Sequence, residues 1–254
     1  MTGARAKAEW WRDYFDAQYL LEYEPIFAPE NDRRDVARIM DVLGLPSDSS
    51  ILDVPCGQGR HANLLAEAGF DVTGLDYSAA LLKIAKARGT GTHLRYRRGD
   101  MRALPREWTG RFDAVLNLFT SFGFFSHPRD DAKVIHEFAR VLKPGGVLLW
   151  HGGSRDGVVR SLIARDWWSA RDGTMIGHER TFDPLSGVLT VRTTVKGMRE
   201  AVEREHKIRL YTATRLAELC ADAGLIVEGA WDGWRERVLT RKASEMLLLA
   251  RKES

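Results

Sequence analysis

The stretch Ile51-Leu52-Asp53-Val54-Pro55-Cys56-Gly57-Gln58-Gly59-Arg60-His61 decides how the rest of the chain is read. An apolar run ends on an acid, turns through two glycines with one residue between them, and passes at once into a helical pattern. The pattern predicts a strand, a tight loop and a helix start. Gly57 and Gly59 can take backbone angles closed to other residues and carry no side chain, so a ligand can lie against the main chain. The helix that follows aims its free N–H groups at the same place.

Downstream the pattern repeats. Arg60 to Ala68 reads as a short helix closed by Gly69, and Phe70 to Asp76 as a second strand ending on an acid. Ser78 caps a helix that stops at Gly89, and His93 to Arg98 is a third strand followed by Gly99-Asp100-Met101. Phe112 to Phe119 is an apolar, doubly buried strand. Asp130 caps a helix to Leu142, Lys143-Pro144-Gly145-Gly146 is a turn, and Val147 to Trp150 is the fifth strand. Such alternation predicts an α/β fold, doubly wound, with a mostly parallel seven-stranded sheet and helices on both faces. From Gly152 the pattern changes. A helix from Ser154 to Arg165 leads through Asp166-Trp167-Trp168 to segments 174 to 182, 188 to 197 and 200 to 211, which read as a small antiparallel β insertion with turns at Asp183 to Gly187 and near Gly197. Thr212 then caps a helix to Ala223, Leu225 to Ala230 is a sixth strand, and Glu245 to Arg251 is the last.

Upstream, residues 7 to 23 carry Trp10, Trp11, Tyr14, Phe15, Tyr19 and Tyr23 at spacings that suit one helix face, although Gln18 and Glu22 interrupt it. So much aromatic area must be buried against the body or over a pocket, and several tyrosines suit a substrate lid. A second helix runs from Asp32 to Leu43, stopped by Gly44. The expected division is a lid over 1–31, a core of 32–151 and 212–254, and an insertion over 152–211 that covers substrate or joins subunits as a homo-oligomer.

Bulk properties narrow the class. The 254 residues are 44% hydrophobic and 29% charged with a formal charge of +3, as in ordinary soluble domains. No apolar run approaches the roughly 20 residues that span a bilayer, and residues 1 to 16 show no signal-peptide pattern. A cytoplasmic protein without membrane contact is expected. Two cysteines far apart and seven scattered histidines offer no metal-ligand spacing, so no metal is expected. The basic cluster Arg95, Arg97, Arg98, Arg102, Arg106 and Arg111 reads as a solvated sheet edge, since no nucleic-acid module accompanies it.

Three acids, Asp53, Asp76 and Asp100, fall at the carboxyl ends of successive strands, where open parallel sheets bind ligands. Asp76 follows Gly57 by 19 residues, the interval at which the next strand's acid receives ribose hydroxyls. Asp100 is one step further out, where an acceptor beside Met101 can take the exocyclic amine of a base. These features favour a nucleoside. Gly57 to Ala62 also fits GxGxx(G/A), which keeps a nicotinamide dinucleotide and an NAD(P)-dependent oxidoreductase in play. An acid ahead of the loop would repel a pyrophosphate, however, and suits the cationic S-adenosylmethionine.

Asp53-Val54-Pro55-Cys56-Gly57-Gln58-Gly59, Gly74 to Ser78, Gly99-Asp100-Met101, Phe112 to Val115 and Leu142 to Gly146 resemble the successive motifs of the class I, seven-stranded Rossmann-like S-adenosylmethionine-dependent methyltransferases. Pro55 stands where the family pattern more often has a glycine. The resemblance implies a cofactor site of Asp53, Gly57, Gly59, Asp76, Tyr77, Asp100, Met101, Asn117 and Leu118, the last two beside the sulfonium. Tyr14, Tyr19 and His178 are candidate catalytic residues, His178 as base because its ordinary pKa lies near neutrality. Tyr23, Phe119 and Arg180 are candidate substrate contacts. Asn117-Leu118-Phe119-Thr120 lacks the proline pair of DNA amine methyltransferases, which disfavours nucleic acid and leaves a small-molecule acceptor, at N or O, as the expected partner. Protein or RNA acceptors, and a binding module without turnover, remain as rivals.

Overall fold

The computed structural model describes residues 9–23, 27–170, 173–196 and 201–253. Its centre is a seven-stranded sheet in the order β10-β11-β5-β4-β1-β2-β3. The strands are β1 (Ser50–Asp53), β2 (Asp71–Asp76), β3 (Leu94–Arg98), β4 (Phe112–Asn117), β5 (Leu142–Gly153), β10 (Leu225–Trp231) and β11 (Glu245–Lys252). β11 alone runs antiparallel to its neighbours, β5 and β10. The other pairings, β1 with β2 and β4, β2 with β3 and β4 with β5, are parallel. Strand order reverses beside β1, so the glycine loop opens at the sheet's switch point.

Successive strand residues bury on opposite faces. Ile51, Ala114 and Leu149 pack with Val36, Ile39 and Leu43 of α3 (Pro29–Leu43) and with Leu65 of α4 (Arg60–Glu67). Leu52, Val115 and Leu148 pack the other way, with Val134, Ile135 and Phe138 of α6 (Pro128–Val141) and Leu216 and Leu219 of α8 (Ala213–Asp222). Helix α5 (Ala79–Arg88) starts at Ser78, whose hydroxyl accepts from Leu81 N, and α8 starts at Thr212 in the same way. The sheet is therefore doubly wound as expected.

Several boundaries differ, each for a local reason. The single N-terminal helix is two short ones, α1 (Trp11–Tyr14) and α2 (Ala17–Glu22), because Asp16 adopts an extended backbone and its carboxylate caps Tyr19 N. Its expected start at residue 7 lies outside the described residues. Helix α6 begins at Pro128, preceded by His127 as cap in place of Asp130, since proline is pre-set for the first helical position. The turn Lys143 to Gly146 lies within β5, where register shifts between Phe112 and Ala114 of β4; Gly145, at φ 74°, lets the chain bulge without ending the strand.

The insertion is a separate four-stranded antiparallel sheet, β6 (Arg165–Ser169), β7 (Met175–Asp183), β8 (Val188–Lys196) and β9 (Ala201–Arg209), entered through a helix α7 (Arg155–Arg160) shorter than expected. β6 is an additional strand. It has no fully buried residue, its inward Asp166 and Trp168 being only half-buried, and Trp167 is 68% exposed. The turn expected near Gly197 lies outside the described residues. No helix of the described residues is long and apolar enough to cross a membrane.

Candidate active site

The loop after β1 forms one wall of a narrow cavity of about 80 Å³. Gly57, at φ 54°, faces it with open space where a Cβ would sit, the nearest atom being Leu81 Cδ1 at 4.0 Å. Asp76 lines the same cavity. Its Oδ2 accepts from Gly57 N at 2.8 Å and its Oδ1 from Ser78 N at 2.7 Å. Burial raises its pKa to about 6, against the lowering effect of those N–H groups. Asp100 and Met101 lie on the far wall, with Asp100 gripped by Arg102 at 2.7 to 3.1 Å. Tyr77 completes that side, its hydroxyl accepting from Arg12 at 2.6 Å. Trp11, Phe15 and Tyr19 of the N-terminal segment close over the top.

A second cavity of about 830 Å³ lies between the N-terminal segment and the inner face of the insertion sheet. The two cavities have four residues in common: Phe15, Tyr19, Ser121 and Phe124. Register explains the far wall. β7 pairs with β8 and β8 with β9, so alternate residues His178, Arg180, Val191, His206 and Ile208 project from one face. Tyr14, Glu22 and Tyr23 face them from α1, α2 and the turn after it. Arg204 ties the two walls together: it donates to Glu22 Oε1 at 3.0 Å and to Tyr14 O, and lies 4.2 Å over the Tyr14 ring. The Tyr14 hydroxyl donates to Glu22 Oε2 at 3.0 Å. Phe119 and Thr120, both at positive φ without being glycine, turn the chain into this cavity. His151 holds that turn, accepting from Phe119 N at Nδ1 (3.3 Å) and from Thr120 N at its carbonyl (3.0 Å).

Two cavities meeting beyond the carboxyl edge of a doubly wound sheet are the layout of an enzyme with two substrates. Residues 51–146 match a family model described as a methyltransferase domain. The dTDP-3-amino-3,4,6-trideoxy-alpha-D-glucopyranose N,N-dimethyltransferase of Streptomyces venezuelae is 30% identical over 229 residues, 85% of this chain and 90% of that protein. The chain belongs to the class I S-adenosylmethionine-dependent methyltransferases. The glycine/sarcosine N-methyltransferase of Halorhodospira halochloris is 40% identical over 111 residues, 43% of this chain and 41% of that protein. The chain thus spans about half the length of several curated relatives it matches. The solved structure of the CcbJ methyltransferase from Streptomyces caelestis shares the fold, with TM-score 0.79 at 16% identity over 92% of this chain and 96% of that one.

In this methyltransferase Gly57, Asp76, Tyr77, Asp100 and Met101 line the narrow cavity, and Tyr14, Tyr23, Phe119, His178 and Arg180 the larger one; Tyr19 lines both. Four expected cofactor residues line neither cavity. Asp53 is buried beneath the loop, where burial raises its pKa to about 7. Gly59 caps α4 at φ 74°, and a Cβ there would strike the Tyr96 hydroxyl, so its smallness accommodates packing. Asn117 is fully buried and donates to Val54 O at 2.8 Å, tying β4 to the loop. Leu118 is buried in the core beside it. Ser121 and Phe124, a few residues on, occupy the junction expected for Asn117 and Leu118.

His178, the expected base, has a close cationic neighbour on its own strand. Arg180 Nη2 donates to its Nδ1 at 2.7 Å, so the neutral ring carries its proton on Nε2. Burial and the Arg180 charge lower its pKa to about 4. His206, missed in the sequence, is pushed further, to about 3, chiefly by burial. Among the tyrosines, burial raises Tyr14 and Tyr19 strongly and Tyr23 to about 12. The hydroxyls of this wall are therefore hydrogen-bonding groups, not phenolates.

Proposed function

We propose that this protein methylates an amine on a small polar molecule, with the acceptor in the 830 Å³ cavity and the reacting nitrogen at the Phe15–Tyr19–Ser121–Phe124 junction. The observation that carries the reading is that shared wall, since a direct displacement needs donor and acceptor in line across one boundary. When bound, S-adenosylmethionine supplies a methyl group already activated on a sulfonium. The chain's own task is placement, and holding two reactants in line can supply roughly 7 to 11 kcal/mol. Gly57 offers main chain to the donor, Asp76 has a lone pair on each oxygen left for ribose hydroxyls, and Asp100 with Met101 borders the base. Tyr19 presents its ring to both sides of the junction.

The state of the histidines favours nitrogen as the acceptor atom. Of the three imidazoles that line the cavity, His178 and His206 are neutral and poorly basic and His151 has its Nδ1 lone pair taken by Phe119 N, so a hydroxyl acceptor meets no ready imidazole base, whereas a free amine brings its own lone pair. The name of the Streptomyces venezuelae relative, an amino-sugar N,N-dimethyltransferase, supports the same reading. Residues 9–23 act as a lid, with Trp11, Phe15 and Tyr19 lying over the narrow cavity. The insertion serves as cover for the acceptor, because its inner face supplies cavity wall. Cys56 and Cys220, both buried free thiols, suit a reducing cytoplasm.

The test is calorimetry with S-adenosylhomocysteine, followed by turnover with S-adenosylmethionine against a nucleotide-linked amino sugar, sarcosine and a catechol. Methyl gain on an amine, read by mass spectrometry, is expected. Gain on the catechol alone would shift the reading to oxygen, and failure to bind S-adenosylhomocysteine would remove the donor-site assignment.

A further inference from the structure

A third cleft, of about 200 Å³, lies on the other side of Leu210, which also lines the larger cavity. It forms where the chain leaves the insertion. Leu210 N donates to Gly187 O at 2.9 Å in the β7–β8 turn, and Arg155 N donates to Tyr211 O at 3.0 Å, so the starts of α7 and α8 and the end of β9 converge. The charged residues that line it are three arginines, Arg155, Arg209 and Arg215, and no carboxylate lines it.

These arginines are held by groups outside the cleft. Arg209, 11% exposed, donates to Asp131 Oδ2 at 2.7 Å and to the carbonyl of Phe125 at 3.1 Å, yet its buried Nε has no partner among the described residues. Arg215 pairs with Glu218 at 2.8 Å. Arg155 has no carboxylate partner among the described residues; it donates to Pro184 O at 3.3 Å and lies over the Phe182 ring. Guanidinium forks match phosphate oxygens better than a mobile ammonium does, and Arg209 is held in place by the buried Asp131.

We propose that this arginine cleft is an anion subsite that receives a phosphate or diphosphate carried by the methyl acceptor, with Leu210 as the wall it shares with the larger cavity. The inference rests on the amine reading for what fills the larger cavity. The anion site itself rests on the three arginines.

Binding measurements on the S-adenosylhomocysteine complex test it without turnover. UDP-glucosamine should bind about tenfold or more tighter than glucosamine, as one or more charge-assisted pairs predict. In Arg155→Ala/Arg215→Ala, and in Arg215→Ala alone if the double variant melts early, that advantage should shrink by about tenfold. Inorganic pyrophosphate should displace UDP-glucosamine from the wild-type protein. Equal affinity for the two amines, an advantage that survives in the variants, or pyrophosphate that binds without displacing UDP-glucosamine would each overturn the subsite. An amine that binds in this way but is never methylated would instead count against the amine-transfer reading.

Discussion

The buried acids of the two cavities are satisfied in different ways. Asp76, in the narrow cavity, is held by the backbone N–H groups of Gly57 and Ser78, both belonging to the strand–loop–helix units that create the cavity. Glu22, in the larger cavity, is held by the side chains of Tyr14 and Arg204, the latter 182 residues away in sequence. The first arrangement is written locally and follows from a short motif. The second exists only when the N-terminal segment meets the insertion sheet, and no spacing in the sequence announces it.

The comparison breaks most sharply at Arg204. Arg204→Ala leaves the Glu22 carboxylate buried without its cation, and unpairing of this kind destabilises by about 3 to 5 kcal/mol; urea denaturation should show the loss. Arg204→Met combined with Glu22→Leu should recover most of it. A loss well under 1 kcal/mol would mean that the lid is not tied down through this pair.

On the side of the narrow cavity, Asp53 makes stability depend on pH. It holds its proton to about pH 7 in the fold, against an ordinary carboxyl value of 3.8. The folded state thus binds more protons between those values, and this contribution is lost as pH rises through 7. Asp53→Asn lacks that titration, so its stability relative to wild type should improve from pH 5 to pH 8 by a few kcal/mol at most, at about 1.4 kcal/mol per pKa unit. A difference flat with pH would place the Asp53 proton elsewhere. Asp76→Ala, which frees two backbone N–H groups, should weaken S-adenosylhomocysteine binding about 100-fold by calorimetry, the scale of one or two hydrogen bonds to a charged group. The smallest effect is expected at His178. His178→Gln should keep kcat within about threefold and leave the limb of the pH–rate profile in place, because the ring is not the proton acceptor; a hundredfold fall would return it to the role of base.

Much of the core could be read before the structure because alternating apolar runs, caps and glycines act within a few residues of one another. Ser78 and Thr212 are caps for that reason, and Asp76 faces the narrow cavity because a strand end fixes where it lies. Neighbours in space supply what local reading does not. Gly59 resembles a ligand-facing glycine until Tyr96 is seen packed across it, and β6 is hidden because it is a short edge strand whose inward residues, Asp166 and Trp168, are polar and aromatic and only half-buried. His178 has the composition of a base, yet Arg180, two residues along the same strand, takes its lone pair. The candidate acceptor tyrosines were visible as an aromatic cluster, whereas His206 and Arg204 carried no local signal. The basic cluster does lie partly on the edge strand β3, where Arg95 and Arg97 pair with Asp71 and Glu107.

The reversed strand β11 has a consequence for the order in which the molecule matures. It slots between β5 and β10, and Ser244 and Glu245 at its start line the larger cavity, whereas every residue lining the narrow cavity lies between Trp11 and Phe125. A ribosome has therefore released the whole lining of the narrow cavity long before the chain that finishes the larger one emerges. During synthesis the groups of the first cavity exist early, and the second is enclosed only when β11 threads into the sheet.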